Sequence, residues 1–207
     1  MQKPWQKRPL VCHSSGNPLD LLRSPRFARR ALPWLFVCCL FIGTPIRALA
    51  QSDDEGEYRL KLAFLYHFTE FVDWPSDAFQ GDRAPLTICV LGEDPFANGI
   101  KETLRGRAVA GHPIDIRRLK PAENPRGCQV VFVRSGEKRA SERVLASLKS
   151  SSTLTVGETK GFAERGGIIN LFMDENKLRF EINLGAAKQA NLRISSKLLA
   201  LAKLVPG

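Results

Sequence analysis

The sequence predicts an α/β fold: a three-layer α/β/α sandwich with a mixed, mainly parallel sheet and a late antiparallel hairpin. Three features lead there. From residue 54 onward, apolar runs of strand length alternate with longer amphipathic segments, the pattern of strand–helix–strand units. Two late runs, Ile168–Met173 and Leu178–Ile182, are joined by Asp174-Glu175-Asn176, too short for anything but a hairpin. The first fifty residues read as a signal peptide with an N-terminal extension, which leaves residues 51–207 as a single domain with room for one core.

The leader has the three parts of a secretory signal. Arg26, Arg29 and Arg30 give the positive flank, Ala31–Gly43 the apolar stretch, and Ala48-Leu49-Ala50 a small-x-small site, with cleavage expected after Ala50. The apolar stretch is short of the roughly 20 residues a membrane span needs. An uncleaved anchor is the alternative, and after cleavage no direct membrane insertion is expected.

Asp54 and Glu57 have the spacing of a capping box, predicting a helix that runs to about Val72. Leu60, Phe64, Phe68, Phe71 and Val72 form one stripe, and Leu62, Leu65 and Tyr66 a second, so the helix is either well buried or kept for a partner. Trp74-Pro75 ends it, because the residue before proline leaves helical geometry. Leu86–Leu91 is a buried strand. Gly92–Pro95 follows as a turn, with Asp94 as N-cap and Pro95 opening a helix to about Leu104. Gly106 and Gly111-His112-Pro113 bracket a weak extended piece, Ile114–Leu119 alternates like a strand, and Pro121–Gly127 is a loop. Gln129–Val133 is a strand, Glu137–Leu148 a helix and Leu154–Val156 a short strand. Gly161–Gly167 is a glycine-rich bend, with Gly166-Gly167 read as a tight turn feeding a buried strand. The hairpin comes next, and Leu184–Ala190 and Ser196–Val205 are the closing helices.

The full chain carries a net charge of +10, which by itself would suggest nucleic-acid binding. The leader holds eight of the 31 basic residues and one of the 21 acidic ones, leaving 23 against 20 in the remainder. Nucleic acid is therefore not an expected partner. Cys12, Cys38 and Cys39 also go with the leader, leaving Cys89 and Cys128 as an even pair in an oxidising compartment. If the strands run in the flavodoxin-like order 2-1-3, the strand holding Cys89 and the one that follows Cys128 are neighbours, about 4.8 Å apart. That lies within reach of a disulfide. Two buried free thiols are the other reading.

No catalytic residue is expected. His67 and His112 are the two histidines past the leader; the first reads as a core or surface residue and the second as solvent-facing. No metal-ligand spacing, nucleophile elbow, P-loop or dinucleotide fingerprint is present, so no cofactor is expected. In an open α/β sheet ligands collect beyond the carboxyl ends of the strands. That rule sets Glu93 and Asp94 opposite Arg134 and Ser135 as a candidate crevice, although plain strand-to-helix turns explain the same residues.

Taken together, Tyr58–Phe68 with Phe71-Val72-Asp73-Trp74-Pro75, Ile88–Gly92, Cys128–Phe132 and Leu154-Thr155-Val156 resemble the YfiR family of exported bacterial proteins. Gly161-Phe162-Ala163, Gly166–Asn170, Arg179–Asn183 and Ser195–Leu199 extend the match, which covers nearly all of residues 57–205. The resemblance implies a periplasmic, non-catalytic α/β/α domain that represses an inner-membrane diguanylate cyclase by binding its periplasmic part. Such binding lowers cyclic di-GMP output and biofilm formation. It also implies a bridge between Cys89 and Cys128. The second cysteine pair of some relatives is replaced here by Ala163 and Asn170. The expected partner is thus the periplasmic domain of a membrane signalling protein, with a homodimer possible. Contacts are expected at exposed parts of Phe68, Phe71 and Trp74, and of the closing helix with Leu198 and Leu199. A periplasmic small-molecule-binding module is the alternative.

Overall fold

The computed structural model describes residues 47–93, 96 and 99–206, with side chains from residue 56 onward except those of residues 101 and 102. The leader through residue 46 and the Asp94-Pro95 turn, with its expected cap, lie outside the described residues.

The first helix, α1 (Arg47–Glu70), is longer than expected and begins upstream of Asp54, which is therefore not its cap. Its sealed seam is Leu62, Leu65 and Phe68, drawn from both predicted stripes, while Leu60 stays 44% exposed. The helix also stops earlier than its apolar pattern. Val72–Asp73 forms a short strand β1 instead, pairing antiparallel with β9 (Arg193–Ile194). A two-residue strand has no periodicity to read, so this small sheet is invisible in the sequence.

The main sheet begins with β2 (Leu86–Leu91), followed by α2 (Gly99–Leu104) and the hairpin of β3 (Ala108–Val109) and β4 (His112–Leu119). Then come β5 (Val130–Val133), α3 (Lys138–Ser147), β6 (Leu154–Gly157), β7 (Ile169–Asp174), β8 (Lys177–Asn183) and α4 (Leu184–Gln189). After β9 the chain closes with α5 (Ser196–Leu199) and β10 (Lys203–Val205). Among the described residues the sheet has eight strands in the order β10-β8-β7-β6-β5-β2-β4-β3. The pairs β7–β8 and β3–β4 are antiparallel and the others parallel, giving the mixed, mainly parallel sheet expected. The order β4-β2-β5 is the 2-1-3 arrangement, and it makes the strand holding Cys89 and the strand after Cys128 neighbours.

Strand alternation divides the core between the two faces of the sheet. Ile88, Val90, Val130 and Phe132 face α1 together with Ile100 of α2 and Ala187 of α4. Cys89, Leu91, Val131 and Val133 face Ala140 and Val144 of α3. On this second face Phe162 is fully buried between two glycines. A Cβ at Gly157 would lie 2.5 Å from its Cγ, and one at Gly167 2.2 Å from its Cε1. Gly166, at φ 97°, makes the turn, so the expected bend is present, and Gly167 adds a close backbone approach.

Two further local expectations are corrected. Ser196–Val205 is not one helix: it unwinds after Leu199, and Lys203–Val205 joins the free edge of β8 in parallel. Backbone groups along that edge would otherwise have no ladder partner, and that outweighs the weak helical pattern. His112 is not free in solvent. It is half-buried, its Nδ1 lies 2.7 Å from the Ala84 carbonyl oxygen, and its ring stacks on Phe79 at 3.7 Å between centroids. His67 is an exposed residue paired with Glu70 at 2.9 Å.

Candidate functional site

Among the described residues the buried charge is concentrated at the carboxyl ends of β5 and β6. Glu158 directly follows β6, and its side chain is only 4% exposed. Four donors converge on or beside it. Oε1 accepts from the Tyr58 hydroxyl at 3.0 Å and from the Ser135 N–H at 2.8 Å. Oε2 accepts from the Lys61 ammonium, which also pairs with Glu57 at 2.5 Å. Arg134, just past β5, donates through Nε to the Tyr58 hydroxyl at 3.2 Å and reaches Glu93 with Nη1 at 3.4 Å. Tyr58, Lys61 and Glu57 lie on α1, so the cluster fastens the helix to the sheet rather than only covering it.

The electrostatics follow from the pairing. Burial pushes the Glu158 carboxyl up, but the Lys61 and Ser135 hydrogen bonds and the Lys61 charge outweigh it, so the group titrates below its ordinary value. Burial pulls Lys61 down, and its bonds to Glu158 and Glu57 reverse that and hold it above its ordinary value. Burial holds the Tyr58 hydroxyl up despite the Arg134 bond. At neutral pH Glu158 and Lys61 are therefore both charged, and the Tyr58 hydroxyl between Glu158 and Arg134 is neutral.

Beside it opens a cleft of about 790 Å³, walled by this cluster and by residues of β7, β8 and β10. In the far wall, Glu181 accepts from Lys203 at 2.7 Å and from Asn170 Nδ2 at 3.2 Å, which anchors the last strand to β8. Asn170 Oδ1 is buried without a partner among the described residues.

The expected crevice is thus partly assembled. Arg134 and Glu93 meet, although Glu93 is 93% exposed and the contact is loose. Ser135 enters through its backbone N–H, which Glu158 already occupies. Asp94 lies outside the described residues. Sequence reasoning missed Tyr58, Lys61 and Glu158. Position was the available signal: Glu158 follows a central strand, and Tyr58 and Lys61 share one face of α1, but nothing local brings them together.

The expected contact residues divide sharply. Phe68 and Leu198 are core residues at 1% and 4% exposure, whereas Phe71, Trp74 and Leu199 are half-buried against that core. Beyond them, Leu201 and Leu204 stand out at 75% and 52%.

Cys89 and Cys128 are joined in a disulfide with 5.8 Å between their α-carbons. Among the described residues no group of three metal-ligating side chains occurs, and no helix is long and apolar enough to cross a membrane. A disulfide-bonded α/β domain of this kind suits an oxidising compartment. The chain belongs to the YfiR/HmsC-like family, whose model matches residues 58–203. That family is periplasmic and regulatory in general character. Among solved structures, the chain is similar to a conserved domain protein from Vibrio cholerae O1 biovar El Tor. The identity is 20% and the TM-score 0.43, over 59% of this chain and 55% of that one. It is also similar to an ABC domain in complex with L-Trp from Streptococcus pneumoniae, at 16% identity and a TM-score of 0.41, over 57% and 55% of the two chains. The chain thus spans about half the length of each, and neither likeness bears on function.

Proposed function

We propose that this domain is a periplasmic, non-catalytic repressor that binds the periplasmic part of an inner-membrane signalling protein, a diguanylate cyclase, and holds it in its inactive state. Membership of the YfiR/HmsC-like family carries this reading. A repressor of this type works by differential affinity for two receptor states, and moving a receptor from 1:99 to 99:1 takes about 5.5 kcal/mol. Exposed apolar side chains are the economical source of such energy, and Leu201 and Leu204 offer them next to the half-buried Leu199. Phe71 and Trp74 add partial surfaces, while Phe68 and Leu198 act as core. Leu201→Asp and Leu204→Asp are expected to abolish capture of the receptor's periplasmic domain while leaving the melting temperature within 2–3 °C of wild type, since exposed substitutions change stability by about 0.5 kcal/mol or less. Undiminished capture by both variants would remove this surface from the proposal.

A second reading, a solute-binding module, is favoured by the position of the 790 Å³ cleft at the carboxyl ends of the strands. A thermal-shift screen of periplasmic metabolites tests it. A stabilising compound whose effect disappears in Arg134→Ala supports the module; stabilisation that survives the substitution places the compound elsewhere.

A further inference from the structure

A second cleft, of about 590 Å³, lies at the opposite end of the sheet, where β2, β5 and β6 begin. We propose that it is a site for a phosphate group, either free phosphate or the phosphate of an anionic lipid headgroup.

Two guanidinium groups define the cleft. Arg117 sits on β4 directly opposite Cys89. Its Nη2 donates to the Arg126 carbonyl oxygen at 3.2 Å and to Cys128 Sγ at 3.1 Å, which holds the group in place. Its Nε–H is buried and has no acceptor among the described residues. That Nε–H is closed to solvent, so it is the charge of the guanidinium, and not a hydrogen bond from this nitrogen, that favours an anion in the cleft. Arg126 is exposed, and no ion pair of either guanidinium with a carboxylate is found among the described residues.

The turn Ser150-Ser151-Ser152, where Ser150 takes a φ of 63°, also lines the cleft. Three consecutive serines thus line the same space as the two arginines. Asp77 is the one acidic residue in the lining. Arginine forks and hydroxyl donors match a tetrahedral oxyanion better than a neutral solute. The carboxyl end of α3 leads into the serine turn, and its dipole opposes an anion. The attraction must therefore come from the guanidiniums, which makes the site sensitive to their loss.

The experiment is a calorimetric and thermal-shift titration of the purified protein with inorganic phosphate, at ionic strength held constant with chloride. Saturable binding with a rise in melting temperature is expected. Arg126→Gln, at a side chain with no hydrogen bond or ion pair among the described residues, should weaken it at least tenfold. Lys177→Gln, an exposed charge on β8, should not. Vesicles of phosphatidylglycerol and of phosphatidylcholine separate the sources. Co-sedimentation with the anionic vesicles alone, reduced by Arg126→Gln, identifies a lipid headgroup, and phosphate binding without co-sedimentation identifies the free ion. A melting temperature that responds equally to chloride, or equal weakening by Arg126→Gln and Lys177→Gln, overturns the proposal.

Discussion

Replacing Cys89 and Cys128 together with serine is expected to lower the unfolding free energy by about 4 kcal/mol. The bridge closes a loop with a sequence separation of 39. In the chain-entropy model, a loop of that length stabilises by about 4 kcal/mol, by restricting the unfolded chain. Typical domains have a total of only about 5–15 kcal/mol, so the loss removes a large share. Both sulfurs are also buried, Cys89 at 0% and Cys128 at 2%, so the serines would place hydroxyls in the apolar layer facing α3. Denaturant unfolding of the oxidised protein, the reduced protein and the double variant measures the effect. Reduction alone tests the cross-link without the hydroxyls. A change below 1 kcal/mol on reduction would mean that packing, not the bridge, holds β2 to β5.

Glu158→Ala is the second large effect, with an expected loss of about 3 kcal/mol. Removing one partner of a buried ion pair costs about 3–5 kcal/mol, because the other charge stays behind unpaired. Here Lys61 keeps its contact with Glu57, which places the loss at the lower end. The Ser135 N–H and the Tyr58 hydroxyl also lose an acceptor. Lys61→Met combined with Glu158→Ala should cost less than the sum of the two single changes, because together they leave no deeply buried charge without its partner.

The same carboxylate sets an acid limit on stability. Its native pKa lies below the ordinary 4.5, so its contribution is complete above about pH 4.5 and declines as pH falls through the lowered value. Glu181, which burial raises but Lys203 and Asn170 lower further, acts in the same direction. Lys61, raised above 10.5, keeps its contribution until pH climbs past that value, so it leaves the neutral range flat. Unfolding measured from pH 3 to 7 should fall off below about 4.5, and less steeply in Glu158→Gln. An unchanged slope in that variant would show that other carboxylates control the acid limit.

Sequence pattern reveals what local periodicity controls. The runs at Leu86, Val130 and Leu154 become strands because their apolar side chains serve both faces of the sheet. The short link at Asp174 leaves the chain no choice but a hairpin. The cysteine pairing was legible only on the assumption of a flavodoxin-like strand order, which the sheet has in β4-β2-β5. The cleft was legible only as a location: the rule for open sheets leads to Arg134, but Glu158 enters the site through tertiary contact with a helix about 100 residues away. The last strand was misread because Leu198, Leu199 and Leu201 carry a helix-like spacing, while the deciding factor, the open edge of β8, lies in another part of the chain. His112 was misread for a similar reason, because its partners Phe79 and Ala84 precede it by about 30 residues.

The ring of Phe162, held between Gly157 and Gly167, ties those three positions into one unit of inheritance. A methyl group at either glycine has no room until the aromatic ring shrinks, and a smaller ring leaves a hollow until a methyl group fills it. Either step alone is a penalty, so descendants of this chain can leave the present trio only by a paired change.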